Sequence, residues 1–123
     1  MISHVSIGVK DMARARRFYD AALKALGFKC LFESEEACGY GAASPEFWIL
    51  GVSQPVPAND QSGLHICLDA PSRAGVDGFH AAALSSGGRD NGQPGVRKDY
   101  GEKYYAAFVV DPDGYRLEAY YGK

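Results

Sequence analysis

The chain has 123 residues, a formal net charge of −2 and eight tyrosines, which fits one small globular domain. The near-neutral charge gives no electrostatic case for nucleic acid or an anionic membrane surface. No apolar run is long enough to cross a bilayer, and the three cysteines (Cys30, Cys38 and Cys67) lack metal-type spacing, so free thiols in a reducing cytoplasm are expected.

Residues 2–9 alternate, with Val5, Ile7 and Val9 on one face and His4, Ser6 and Gly8 on the other. Asp11 is the expected N-cap of a helix from about Met12 to Leu26, closed by Gly27. Strands are then expected at Phe28–Phe32, Gly39–Ala42 and Phe47–Leu50, followed by a linker at 54–62 rich in proline. A second strand-helix pattern follows. Leu64, Ile66 and Leu68 alternate with His65, Cys67 and Asp69, and Ser72 caps a helix to about Ser86. The polar stretch Arg89–Lys103 contains Gly92, Pro94 and Gly95, so any strand in it should be short. Tyr104–Val110 and Tyr115–Tyr121 read as the last strands, joined by the turn Asp111-Pro112-Asp113-Gly114.

These halves are copies of one another. His4 aligns with His65 without a gap, and the same offset carries Ala13 to Ala74, Phe18 to Phe79, Ala21-Ala22-Leu23 to Ala82-Ala83-Leu84, and Gly27 to Gly88. A duplicated unit implies a pseudo-twofold with a cleft between equivalent surfaces. His4, His65 and Glu118 lie on strand faces opposite the apolar set. Two imidazoles and a carboxylate suit a divalent ion with open coordination positions, although each histidine read singly is an ordinary hydrogen-bonded strand residue.

The duplication, the opening His4-Val5-Ser6-Ile7-Gly8-Val9-Lys10-Asp11 and the closing Asp111-Pro112-Asp113-Gly114-Tyr115-Arg116-Leu117-Glu118 resemble the vicinal oxygen chelate superfamily, which includes glyoxalase I, fosfomycin and bleomycin resistance proteins and extradiol dioxygenases. The resemblance implies an α+β fold of two βαβββ modules, about 2–53 and 63–121, forming a half-open barrel over a single domain of residues 1–123. It also implies a divalent metal (Mn, Fe, Ni or Zn) held by His4, His65 and Glu118. The implied activity is that of a lyase or isomerase, a dioxygenase or a resistance-type transferase on a small oxygen-chelating substrate, in a homodimer in which one chain or two supply the site. A metal-free drug-binding protein of the bleomycin resistance type is the alternative.

Aligning Phe47-Trp48-Ile49-Leu50 on Tyr115-Arg116-Leu117-Glu118 puts Leu50 where glyoxalase I carries a fourth ligand, which lowers the expectation of that activity. Ser6 and Trp48 match pocket positions of fosfomycin resistance proteins, whereas Phe108 replaces a cleft tyrosine and the chain ends soon after Glu118. Ser6, Trp48, Cys67, Phe108, Tyr120, Arg97 and Lys98 are the expected pocket residues. The default reading of Arg97 and Lys98 is nevertheless solvated loop charges, and that of Cys67 a buried inert thiol, while Arg116 is readable as the partner of a carboxylate near Glu118. No general base is identified.

Overall fold

The computed structural model describes residues 1–123. The chain runs β1 (Val5–Val9), α1 (Met12–Lys24), β2 (Lys29–Glu33), β3 (Ala37–Gly41), β4 (Phe47–Gly51), β5 (His65–Asp69), α2 (Arg73–Ser85), β6 (Arg89–Val96), β7 (Tyr105–Val110) and β8 (Arg116–Tyr121). Two four-stranded sheets result, ordered β1-β4-β3-β2 and β5-β8-β7-β6. In each, the first strand of the module lies parallel to the last, and the other neighbours are antiparallel. This is the expected α+β arrangement of paired βαβββ units, and neither sheet closes on itself.

Both helices start at the caps read from the sequence. The Asp11 carboxylate accepts from the Arg14 amide at 3.0 Å, and the Ser72 hydroxyl accepts from the Gly75 amide at 3.0 Å. Helix α1 buries Ala15, Phe18, Tyr19, Ala22 and Leu23, while α2 buries Gly75, Val76, Phe79, His80 and Ala83. The helices pack on each other as well as on their own sheets. Glycine makes that contact close: a Cβ on Gly78 would stand 3.3 Å from the Ala25 Cβ. One cluster of 20 buried residues joins both modules, so neither module has a core of its own.

Two expectations are corrected. The stretch after α2 is not a short strand: β6 spans eight residues, with its register against β7 shifting between Asp90 and Gly92 and again between Gly92 and Gly95. Strand pairing is made by backbone groups. As the edge of its sheet, β6 can place Pro94 where no amide is required and absorb its glycines in the shifts. The repeat is also not gap-free. Phe28 N–H bonds to Leu23 C=O, and the matching bond in the second copy is Gly88 N–H to Ala83 C=O. The second helix therefore closes one residue early, and the left-handed glycine is Gly27 in one copy (φ 86°) and Gly87 in the other (φ 99°).

Candidate functional site

Alternation sorts the second sheet into two faces. Ala107 and Val109 on β7 and Leu117 and Ala119 on β8 enter the core. The opposite face is set by the register: Glu118 pairs with Cys67 on β5 and with Phe108 on β7, and Arg116 pairs with His65 and Val110. Glu118 is thus central in its sheet and only 3% exposed.

A buried carboxylate needs partners, and Glu118 has two. Its Oε1 lies 3.0 Å from His65 Nε2, and its Oε2 accepts from the Tyr104 hydroxyl at 2.5 Å. His65 is reachable from solvent, with its side chain 40% exposed, and its ring stacks beside Phe108 at 6.1 Å. The Tyr104 ring sits between Tyr120 at 4.2 Å and Tyr100 at 5.2 Å. Burial first, and then the bond to Glu118, push the Tyr104 phenol up, so it remains a donor at neutral pH. Burial and the adjacent Glu118 charge push the Cys67 thiol up to about 12, which leaves it protonated at neutral pH.

His65, Asn91, Tyr100, Tyr104, Phe108, Arg116 and Glu118 line one open cavity of about 530 Å³. The other expected site residues are placed as follows. His4 precedes β1, is exposed, and has its Nδ1 3.1 Å from Ser3 Oγ. It does not join His65 and Glu118 within the chain, which brings no three His, Cys, Asp or Glu side chains together as a metal-holding group. Ser6 lines a separate groove of about 420 Å³ with Val56 and Ile66, and Cys67 lines a third, of about 480 Å³, whose wall also includes His65. Tyr120 flanks the site through Tyr104, whereas Lys98 is exposed and outside the cavity lining. Arg97 is held back from the cavity, with its guanidinium bonded to the carbonyls of Gly95 (3.0 Å) and Gln93 (2.6 Å) and stacked over Phe108 at 5.3 Å.

The counterpart of Glu118 in the first module also needs correction. Ser6, which the repeat matches to Cys67, pairs with Trp48. Trp48, not Leu50, therefore occupies the place of Glu118, and Gly39 occupies that of Phe108. A slip of two residues keeps every side chain on its own face, so alternation cannot detect it. The conclusion about ligation survives, because an indole is a donor only. Trp48 lies over Gly39, where a Cβ would come within 2.9 Å of its ring.

Asn91 and Arg116 were not among the expected pocket residues, and Tyr104, readable as a pocket residue, was set aside as a packing tyrosine. For Tyr104 the signal was present: it stands two and four residues before Ala106 and Phe108, on the same face. For Asn91 there was none, because the register shifts of β6 decide where it points.

The class the fold and site define is a duplicated βαβββ domain with a histidine-carboxylate pair where the first and last strands of its second module run parallel. Residues 1–119 match the Glyoxalase/Bleomycin resistance protein/Dioxygenase superfamily, and the chain belongs to that family. A glyoxalase/bleomycin resistance protein from Albidiferax ferrireducens superimposes with a TM-score of 0.81 at 31% identity, over 96% of this chain and 95% of that one. A glyoxalase-related enzyme from Fulvimarina pelagi gives 0.76 at 16% identity, over 98% and 86%. The fosfomycin resistance protein FosX from Mesorhizobium loti gives 0.71 at 16% identity, over 100% and 92%. The last two likenesses concern the fold alone. No curated protein sequence matches the chain.

Proposed function

We propose that this protein is a divalent-metal-dependent enzyme that acts on a small substrate through its own chelating oxygens. The observation that carries the reading is the pairing of His65 Nε2 and Glu118 Oε1 at 3.0 Å, at the wall of an open cavity. Two donors about 2.1 Å from one ion and roughly at right angles to each other stand about 3 Å apart, so the pair fits a shared ion. The donor types, one imidazole nitrogen and one carboxylate oxygen, suit Mn, Fe, Ni or Zn. When bound, the ion would act as a Lewis acid on the substrate oxygens.

The chain's own residues do the rest. Tyr104 fixes the second carboxylate oxygen and so aims the first. Phe108 and the Tyr100, Tyr104 and Tyr120 rings screen the site from water. Since His4 stands apart from the pair, the third ligand in this reading is His4 of a second copy in a homodimer. The protein is expected in the cytoplasm; the structure has no helix long and apolar enough to cross a membrane.

Metal analysis after purification without chelators tests the reading, together with thermal shifts on adding Mn²⁺, Ni²⁺ or Zn²⁺. Wild type should retain metal and gain stability from it. His65→Ala and Glu118→Ala should lose both effects and remain folded. Equal metal-induced shifts in all three proteins would overturn the assignment. The second reading is a metal-free binding module of the bleomycin resistance type. It is favoured by the lack of a three-donor cluster within one chain and by the aromatic surroundings of the cavity, where Tyr100, Tyr104 and Phe108 present rings to any planar ligand.

A further inference from the structure

Every charged group at the His65–Glu118 cavity has a partner within the chain except one. Glu118 is shared by His65 and Tyr104. Arg97 is spent on two backbone carbonyls. Arg116 lines the cavity, stands across the strand pair from His65 and two residues from Glu118, and makes no ion pair in the chain. Its Nε is buried with no hydrogen-bond partner. The expectation that Arg116 would pair with a carboxylate near Glu118 is not met: no carboxylate lies within ion-pair distance of its guanidinium.

A guanidinium is charged at any working pH and presents a planar fork that matches a carboxylate. Leaving a buried N–H without an acceptor is costly, and Arg116 is the cavity-lining cation that has no carboxylate partner in the chain. From this we infer that the substrate carries a carboxylate that docks on Arg116 while its neighbouring oxygens face His65 and Glu118. Small hydroxy-acids, oxo-acids and catechol carboxylates have this form, whereas neutral diols and neutral catechols lack the anion. The position of the chelating oxygens rests on the proposed metal site; the carboxylate contact rests on Arg116 alone.

The test uses a matched pair of probes, 3,4-dihydroxybenzoate and 4-methylcatechol, which share the diol and differ in the charged group. Each is titrated by calorimetry, at one fixed ionic strength, into Mn²⁺-loaded and metal-free protein. Wild type should prefer the carboxylate by about ten-fold or more, as a charge-assisted bidentate contact gives. Arg116→Met should abolish the preference, with the loss falling on 3,4-dihydroxybenzoate more than on 4-methylcatechol, and Arg116→Lys should keep part of it. Should Arg116→Met not fold, Arg116→Gln carries the same comparison. No preference in wild type, or a preference that survives loss of the guanidinium, overturns the inference. So does a fall from dimer to monomer in Arg116→Met with the preference intact, which would assign Arg116 to a subunit contact. Equal binding with and without Mn²⁺ would remove the chelation reading only. The ratio of the two probes in metal-free wild type and variant would still decide the role of Arg116.

Discussion

Removing the Asp111 side chain should destabilise the whole domain, because this carboxylate ties β8 to α1. Asp111 is 3% exposed. One of its oxygens accepts from the amides of Asp113 (2.9 Å) and Tyr115 (2.8 Å), and the other accepts from the Tyr19 hydroxyl at the centre of the core. Asp111→Ala strands three donors. With a loss of roughly 1–2 kcal/mol for each, the expected cost is about 3–6 kcal/mol. For a chain of this length that lowers Tm by roughly 10–20 °C. Asp111→Asn keeps the amide-accepting oxygen, and its NH₂ can donate to Tyr19, so it should cost far less.

The same residue gives a pH dependence whose sign is set by burial. Desolvation outweighs the three donors and pushes the Asp111 carboxyl up to about 6. A native pKa above the unfolded one means that the folded state binds the extra proton. The contribution to stability is therefore fully present below the ordinary aspartate range and is lost as pH rises through about 6. Urea denaturation of wild type and Asp111→Asn at a series of pH values isolates this part, since the other carboxylates cancel in the difference. The difference should move in favour of Asp111→Asn between pH 4 and about 6 and then level off. A flat difference, or an Asn variant as unstable as the Ala variant, would refute the reasoning.

Further outcomes follow from the two halves of the molecule. Gly39→Ala places a Cβ 2.9 Å from both the Trp48 ring and Pro45, and should cost about 1–3 kcal/mol. Because Trp48 is the chain's single tryptophan, its fluorescence reports the displacement directly; an unchanged emission spectrum would contradict the packing. Light scattering at micromolar concentration should give twice the chain mass. If the metal site is shared between copies, mixing inactive His4→Ala with inactive Glu118→Ala should restore tight metal binding in about a quarter of the total sites once subunits exchange. No recovery after exchange would place all three ligands in one chain or remove His4 from the site.

Most of the fold was legible because its signals are local. Ile7 and Val9, and again Leu117 and Ala119, carry the strand period and do enter the core, while Val5 at the start of β1 stays half-buried. Asp11 and Ser72 carry their own capping oxygens, so both helix starts could be read from short sequence windows. The failures share a cause. The length of β6, the early closure of α2 and the pairing of Ser6 with Trp48 are all decided by backbone hydrogen bonds. Side-chain pattern reports on those bonds only weakly.

The same limit shaped the candidate site. Facing direction is a property of one strand, and it identified His65 and Glu118 as residues on the open face. Proximity is a property of two strands, and only the β5–β8 register brings that pair to 3.0 Å. Between modules no strand pairing exists to perform the same service for His4. Equivalence within a repeat therefore does not imply convergence in space: the duplication relates His4 to His65, yet one sits beside a serine at the entry to β1 and the other beside a buried carboxylate. The partner of Glu118 also shows why the two halves have diverged. Trp48 over Gly39 fills with an aromatic ring the place where the second sheet holds Glu118 beside Phe108. The carboxylate, the unpaired Arg116 and the cavity they share all lie in the second module, so the proposed anion contact and any ion that Glu118 would hold share one strand, β8.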